Sequence, residues 1–274
     1  MPSYIELSYV QVGLITLLIL VNAAISLFLQ LNMERTLLIA AGRAICQLLL
    51  VGLVLEWVFH ADRWYLVVGI LALMTGIAGA TAVQRNARPF PGIWFNTLIS
   101  IWAASWVTTA YGLAVINGDL IGCLRPQYAI PLMGMVLGNT LNGNSVGLNA
   151  FTESLVNRRE EVESALALGA TRWEAARPPA RQAVRMGMIP IVNTMMIVGV
   201  VSLPGLMTGQ LLAGTPPIEA VKYQIVIIFM IASTTALGTV GVVVLSYRRL
   251  FNSRHQFLVT LIGEPRRNKK RGRG

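Results

Sequence analysis

Long apolar segments recur along almost the whole chain, and they constrain its fold more than any other feature. The first, residues 7–30, contains no charged residue at all. A helix needs about 20 apolar residues to cross a bilayer, and about seven segments approach that length. Charged residues make up 12% of the chain, against roughly 25% in a soluble domain. The sequence therefore predicts an all-α, polytopic membrane protein.

We predict a bundle of about seven transmembrane helices, or six if the first segment is not a span. Between the fifth and sixth spans lies the only long polar segment before the C-terminal tail. The predicted spans cover residues 7–30, 36–59, 66–83, 92–117, 128–151, 188–214 and 223–247. The organisation is helices one to five in 1–151, a helical cytoplasmic coupling loop in 152–187, helices six and seven in 188–247, and a basic cytoplasmic tail in 248–274.

The basic residues indicate the topology, because Lys and Arg accumulate in cytoplasmic loops. With the polar segment inside, eighteen of the 22 fall on the cytoplasmic side and three on the other, with Arg43 in the membrane. This bias predicts a cytoplasmic-membrane protein with its N-terminus outside and its C-terminus inside. The basic tail favours contact with anionic lipid headgroups, and no basic face suited to nucleic acid is evident.

The polar segment Thr152–Ile189 reads as two short helices with a tight joint. Apolar residues fall near helical spacing from Ser154 to Leu168. Gly169 then suits the left-handed conformation that often ends a helix. Thr171 and Glu174 have capping-box spacing, which predicts the start of a second helix.

Pro178 and Pro179 predict that this second helix ends after about two turns. Its first residues, Arg172 and Trp173, are of the types enriched at binding hot spots. The corner could therefore dock into another protein. The alternative is a solvated loop with local helix.

Amides are unusually frequent in the fifth span, and Ser145 lies among them. Uncompensated amides are costly in hydrocarbon, so these side chains should either hydrogen-bond between helices or line a translocation route. The candidate route residues, with three from the sixth span, are Asn139, Asn142, Asn144, Asn149, Asn193, Met207 and Gln210. In the sixth span, Pro204 and Gly205 predict a hinge or a purely architectural kink.

Metal ligation has weak candidates only. Glu56, His60 and Asp62 could approach one another at the outer end of the second span, although a solvated interfacial cluster is the simpler interpretation. Methionines near the sixth span are soft ligands, but they are also ordinary apolar filler.

Several functions are disfavoured by missing motifs. The chain contains no GxxxxGK[ST], so it has no P-loop for ATP. It also lacks HExxH and CxxC and has only two histidines, which makes an enzyme the weakest interpretation. Any energy source must be another protein or an ion gradient. A gradient-driven carrier or channel therefore stays open as an alternative. A seven-helix receptor is a further alternative, because it would have the same number of helices.

ESALALGATRWEA resembles the cytoplasmic coupling loop of ABC-transporter permeases, in which a glycine follows a glutamate by six residues, as Gly169 follows Glu163. The usual Ile-x-Leu-Pro is absent at its normal distance. A narrower resemblance is to bacterial iron-export permeases of FetB type and plant aluminium-tolerance half-transporters. It rests on GRAICQLLLVG (42–52), PLMGMVLGN (131–139), LGAT (168–171), VSLPGLMTGQLLAG (201–214), VKYQI (221–225) and FNSRHQ (251–256).

The resemblance implies a homodimeric permease subunit that works with two copies of a separate ATPase subunit. ATP and Mg would bind that partner, and this chain would hold no cofactor of its own. The implied cargo is iron or another metal, with a nucleotide sugar as the alternative. The implied ATPase-coupling residues are Glu163, Gly169, Ala170, Thr171, Arg172, Trp173 and Glu174.

Overall fold

The regular structure is helical throughout the described part of the chain. A computed structural model describes residues 8–61, 63–117 and 125–264. Within them lie nine α-helices and no strand: α1 Tyr9–Phe28, α2 Glu34–Ala61, α3 Trp64–Gln84, α4 Ile93–Asn117, α5 Pro126–Asn157, α6 Arg159–Ala167, α7 Arg172–Ile197, α8 Gly205–Leu212 and α9 Pro217–Leu250. The predicted all-α fold is confirmed.

Five of these helices are long and apolar enough to cross a membrane, namely α1, α2, α3, α4 and α9. They coincide with five of the predicted spans, so the prediction of an α-helical membrane protein is confirmed. α5 and α7 are also long, at 32 and 26 residues. Their amides and arginines make these two helices too polar to count as membrane spans by length and hydropathy. The total of seven spans therefore stays a prediction.

The chain divides into two compact units, of which one comprises the described residues up to Arg63 with Gln210–Thr215. In this unit α1 and α2 form a hairpin. Ser26 Oγ accepts a hydrogen bond from Met33 N–H at 3.0 Å and donates one to Glu34 at 3.2 Å. These bonds tie the last turn of α1 to the first residue of α2.

In the second unit α5 packs against α3, α4, α7 and α9. α5 and α7 come close together at Gly143 and Gly187. A Cβ atom on Gly187 would lie 2.7 Å from the carbonyl oxygen of Gly143 and 2.6 Å from Cγ2 of Thr239 on α9. Small residues allow backbones to come this close. The three helices therefore pack so closely at this point that α5 and α7 have room only for glycine.

The prediction that the second polar helix ends at Pro178 and Pro179 is wrong. α7 continues through both prolines and Pro190 to Ile197. A proline inside a helix costs about 3 kcal/mol, because it removes a hydrogen bond and crowds the preceding turn. The buried face of α7, which runs from Ala175 to Ile191 and packs against α5 and α9, offsets that cost.

Two other predicted boundaries also shift. The helix predicted from Ser154 to Leu168 is divided, because α5 continues to Asn157 and α6 begins at Arg159. The predicted sixth span, 188–214, is interrupted between Ile197 and Gly205. This interruption, residues 198–204, separates α7 from α8 and is longer than a proline kink.

Candidate functional site

The joint between α6 and α7 has the geometry that its glycine predicts. Gly169 has φ +95°, a left-handed conformation that glycine adopts without a Cβ clash. Its N–H donates to the carbonyl of Leu166 at 3.1 Å, and Ala170 N–H donates to the carbonyl of Ala165 at 3.0 Å. These two bonds form a Schellman motif, which satisfies the free carbonyls at the end of α6.

The predicted capping box at the start of α7 is confirmed. Thr171 Oγ1 accepts from Glu174 N–H at 3.3 Å, and the Glu174 carboxylate accepts from Thr171 N–H at 2.8 Å and from its hydroxyl at 2.7 Å. Because these bonds stabilise the charged form, they lower the pKa of Glu174 below its ordinary value. The direction in which α7 leaves the joint is thereby fixed.

The segment after α9 folds back on itself. Phe251 pairs with Phe257 in an isolated antiparallel bridge, and Asn252 Oδ1 accepts from the N–H groups of Arg254 and Gln256 at 3.0 and 2.9 Å. We call residues 251–257 the C-terminal hook. The sequence assigned them to a basic tail, although an asparagine that bonds the backbone two residues on is a recognisable turn signal.

The hook contacts the first residue of α7. Arg172 N–H donates to Nδ1 of His255 at 2.9 Å, and its guanidinium donates to the carbonyl of Asn252 at 3.2 Å. That guanidinium lies 6.0 Å from the ring centroid of Tyr247, and the Trp173 ring lies 5.2 Å from the same ring in an edge-to-face arrangement. Arg172 and Trp173 therefore brace α7 against α9 and the hook.

The exposed part of the joint is its tip, which we define as residues 168 and 169. Leu168 is 89% exposed, and a Cβ atom on Gly169 would meet nothing within 4 Å. Glu163 lies on α6 and pairs with Arg159 at 2.7 Å. Leu168 is not among the predicted coupling residues, although an apolar residue directly before a helix-ending glycine is visible in the sequence.

Two amides of the fifth predicted span join α5 to the segment after α3. Asn142 accepts from the Arg85 guanidinium at 2.7 Å. Asn149 donates to the Arg85 carbonyl at 3.2 Å and accepts from Ala87 N–H at 2.8 Å. For these two residues the contacts favour the hydrogen-bonding alternative, in which amides hold helices together.

The other candidate route residues have different surroundings. Asn144 is fully buried, and neither polar atom of its side chain has a partner among the described residues. Asn139 is exposed and donates to the carbonyl of Met135 at 2.9 Å, within its own helix. Asn193 is exposed on α7, whereas Met207 and Gln210 are partly buried on α8.

The predicted hinge residues flank the start of α8. α8 begins at Gly205, and Thr208 returns hydrogen bonds from its N–H and hydroxyl to the carbonyl of Pro204, at 3.0 and 3.1 Å. Pro204 thus closes the interruption after α7 by opening a new helix.

A metal centre is not formed by the described residues, among which no three His, Cys, Asp or Glu side chains come together. Nδ1 of His60 lies 2.7 Å from the backbone carbonyl oxygen of Glu56, one turn earlier. Asp62, the third predicted candidate, lies outside the described residues, so the trio itself stays a prediction.

The fold and the joint define a polytopic α-helical membrane protein that carries a folded, charged corner between its apolar helices. The chain belongs to the family described as Uncharacterised protein family (UPF0014), whose model matches residues 9–251. The predicted resemblance to iron-export permeases and their plant relatives is confirmed.

Three relatives illustrate the similarity. The UPF0014 membrane protein slr1647 of Synechocystis is 41% identical over 263 residues, which is 94% of this chain and 99% of the relative. The probable iron export permease protein FetB of Escherichia coli is 32% identical over 91% of this chain and 95% of its own. Protein ALUMINUM SENSITIVE 3 of Arabidopsis thaliana is 29% identical over 87% and 85%. No solved structure matches the chain.

Proposed function

We propose that this chain is the membrane permease subunit of an ATP-binding-cassette exporter for iron or another metal ion. The observation that carries the proposal is the braced corner between α6 and α7, with an apolar tip at residues 168 and 169 that its own fold leaves uncovered. Similarity to FetB over 91% of the chain supports the same function. A gradient-driven carrier would have no use for such a corner.

Energy would come from a separate ATPase subunit. The chain has no GxxxxGK[ST] sequence, and a P-loop needs that sequence to hold phosphates and Mg²⁺. We propose two ATPase copies acting on a homodimer of this chain in the cytoplasmic membrane. The N-terminus would be outside and the corner and C-terminus inside, as the distribution of Lys and Arg favours.

α7 would transmit the work of the ATPase. It is continuous over 26 residues from Arg172, which corresponds to about 39 Å of helix. Bonds from the hook and the capping box fix its first turn, so a push on the tip would displace α7 as one body. The interruption at residues 198–204, together with Pro204 and Gly205, would absorb that displacement as a hinge.

The predicted route residues, which are six amides and Met207, stay candidates for a translocation route and can be substituted one by one. Asn144 is the strongest of them, because a buried amide without a partner is costly and needs a reason. Asn139, Asn142, Asn149, Asn193 and Met207 belong to the same unit, and Gln210 is a separate candidate in the other unit.

Reconstitution tests the proposal. The purified chain in proteoliposomes should move ferrous or another divalent metal ion only when an ATPase subunit and ATP are present. Transport by the chain alone, driven by an ion gradient, would contradict the proposal. ATP-dependent movement of a nucleotide sugar but of no metal would support the permease function and replace the proposed metal cargo.

A further inference from the structure

A groove of about 340 Å³ lies between α7 and α9. Its floor and walls are apolar, with Val184 on α7 and Val240 and Val244 on α9. Arg181 and Arg185 line the same groove. Its volume is near the lower end of the roughly 300–1,000 Å³ typical of ligand sites. An apolar slot with two cations is suited to a ligand that is itself amphipathic.

The two arginines have no anionic partner in the described part of the chain. Arg181 and Arg185 are exposed and make no hydrogen bond or ion pair with another described residue. They are one helical turn apart, which places like charges side by side on α7. An anion between the two guanidinium groups would relieve this repulsion, and arginine binds phosphate with two donors in a fixed geometry.

The position of the groove along α9 matches a membrane boundary. Val240 and Val244 lie eight and four residues before Arg248, which is exposed in the last turn of that helix. At 1.5 Å per residue, the two valines lie about 6–12 Å along α9 from Arg248. The apolar wall of the groove therefore begins next to the charged end of that helix. Trp173 lines the groove as well, and tryptophan is enriched at membrane–water interfaces.

We infer that this groove binds one anionic phospholipid. Its phosphate lies between Arg181 and Arg185, and one acyl chain lies along Val240 and Val244. Basic pockets between membrane helices bind anionic headgroups in this way. A free phosphate would leave the apolar wall uncovered. The inference rests on the groove and on the chain being a membrane protein, and it does not depend on the transported substrate.

Lipid titration in nanodiscs tests the inference. The full chain is placed in phosphatidylcholine, phosphatidylglycerol is added, and binding is followed by native mass spectrometry and by the rise in melting temperature. The double variant R181Q/R185Q should bind phosphatidylglycerol roughly tenfold or more weakly. The matched control R177Q/R248Q removes the same charge from exposed positions that do not line the groove, and should keep the binding.

A third variant separates a built groove from general surface attraction. Val240→Trp places a large side chain in the groove and leaves both arginines in place, so this variant should also lose the bound lipid. The melting temperature in pure phosphatidylcholine checks that each variant is folded. Equal lipid binding by R181Q/R185Q and its control would overturn the inference. A second result would also overturn it, namely that R181Q/R185Q still binds lipid but no longer stimulates a partner ATPase. The groove would then face a protein.

Discussion

The backbone N–H of Arg172 donates a hydrogen bond to Nδ1 of His255 over 2.9 Å, which joins two residues 83 positions apart in the chain. The first N–H groups of a helix have no partner within the helix, and here a side chain from the C-terminal hook supplies one. Through this contact, the start of α7 and the segment after α9 form one structural element.

Replacing His255 by alanine should loosen the start of α7. The variant removes the acceptor for Arg172 N–H, and a hydrogen bond of this kind contributes about 0.5–1.5 kcal/mol. Amide hydrogen exchange at residues 172–174 should therefore become roughly two- to tenfold faster. Ser253→Ala, an exposed position in the same hook, is the control. Unchanged exchange in His255→Ala would show that the hook does not brace the corner.

Substituting alanine for Gly169 should destabilise the joint. The residue has φ +95°, and an L-residue in the left-handed region costs about 1–2 kcal/mol. Because the surrounding space is open, the cost is conformational and not steric. Unfolding in detergent measures it. Gly69→Ala, in open space on α3, should be neutral or slightly stabilising, and equal losses in both variants would refute the assignment.

The contact between α5 and α7 should not tolerate a methyl group. In Gly187→Ala the new Cβ would lie 2.7 Å from the carbonyl oxygen of Gly143, and backbone atoms cannot move aside cheaply. Overpacking of this kind costs about 1–3 kcal/mol. Gly138→Ala on α5, where nothing lies within 4 Å, is the matched control. Thermal unfolding of both variants decides the point, and a stable Gly187→Ala would contradict the packing described.

The capping box should show a defined acid dependence. Its hydrogen bonds lower the pKa of Glu174, so its stabilising contribution is present above the usual carboxyl value of 4.5 and is lost as the pH falls below it, through the lowered folded value. Protection of the Thr171 amide from hydrogen exchange should follow that loss. Glu174→Gln keeps an acceptor for the box and should remove this acid dependence. The same acid profile in both proteins would exclude Glu174 as its source.

Local signals in the sequence predicted the corner well. The end of a helix at a glycine and a capping box depend only on residues a few positions apart. The roles of Gly169, Thr171 and Glu174 could therefore be predicted without knowledge of the fold. The apolar segments predicted the membrane helices for the same reason, since their length and composition are local properties.

Contacts between distant segments could not be predicted in this way. α7 passes Pro178 and Pro179 because its buried face packs on α5 and α9, and no local pattern shows that packing. His255 of the hook bonds to Arg172 from 83 positions further along the chain. Gly143 and Gly147 form a visible G-x-x-x-G pattern, but only the structure shows that α7 and α9 are the helices that they face.

We propose that a partner ATPase acts on the tip of the corner, and a variant of Leu168 offers the sharpest measurement. Leu168 is 89% exposed, so Leu168→Glu should leave the fold and the melting temperature unchanged. With the ATPase subunit in proteoliposomes, it should abolish both the stimulation of ATP hydrolysis and ATP-driven transport, whereas Leu168→Met should retain both. Full stimulation and transport in folded Leu168→Glu would show that the ATPase does not act on the tip.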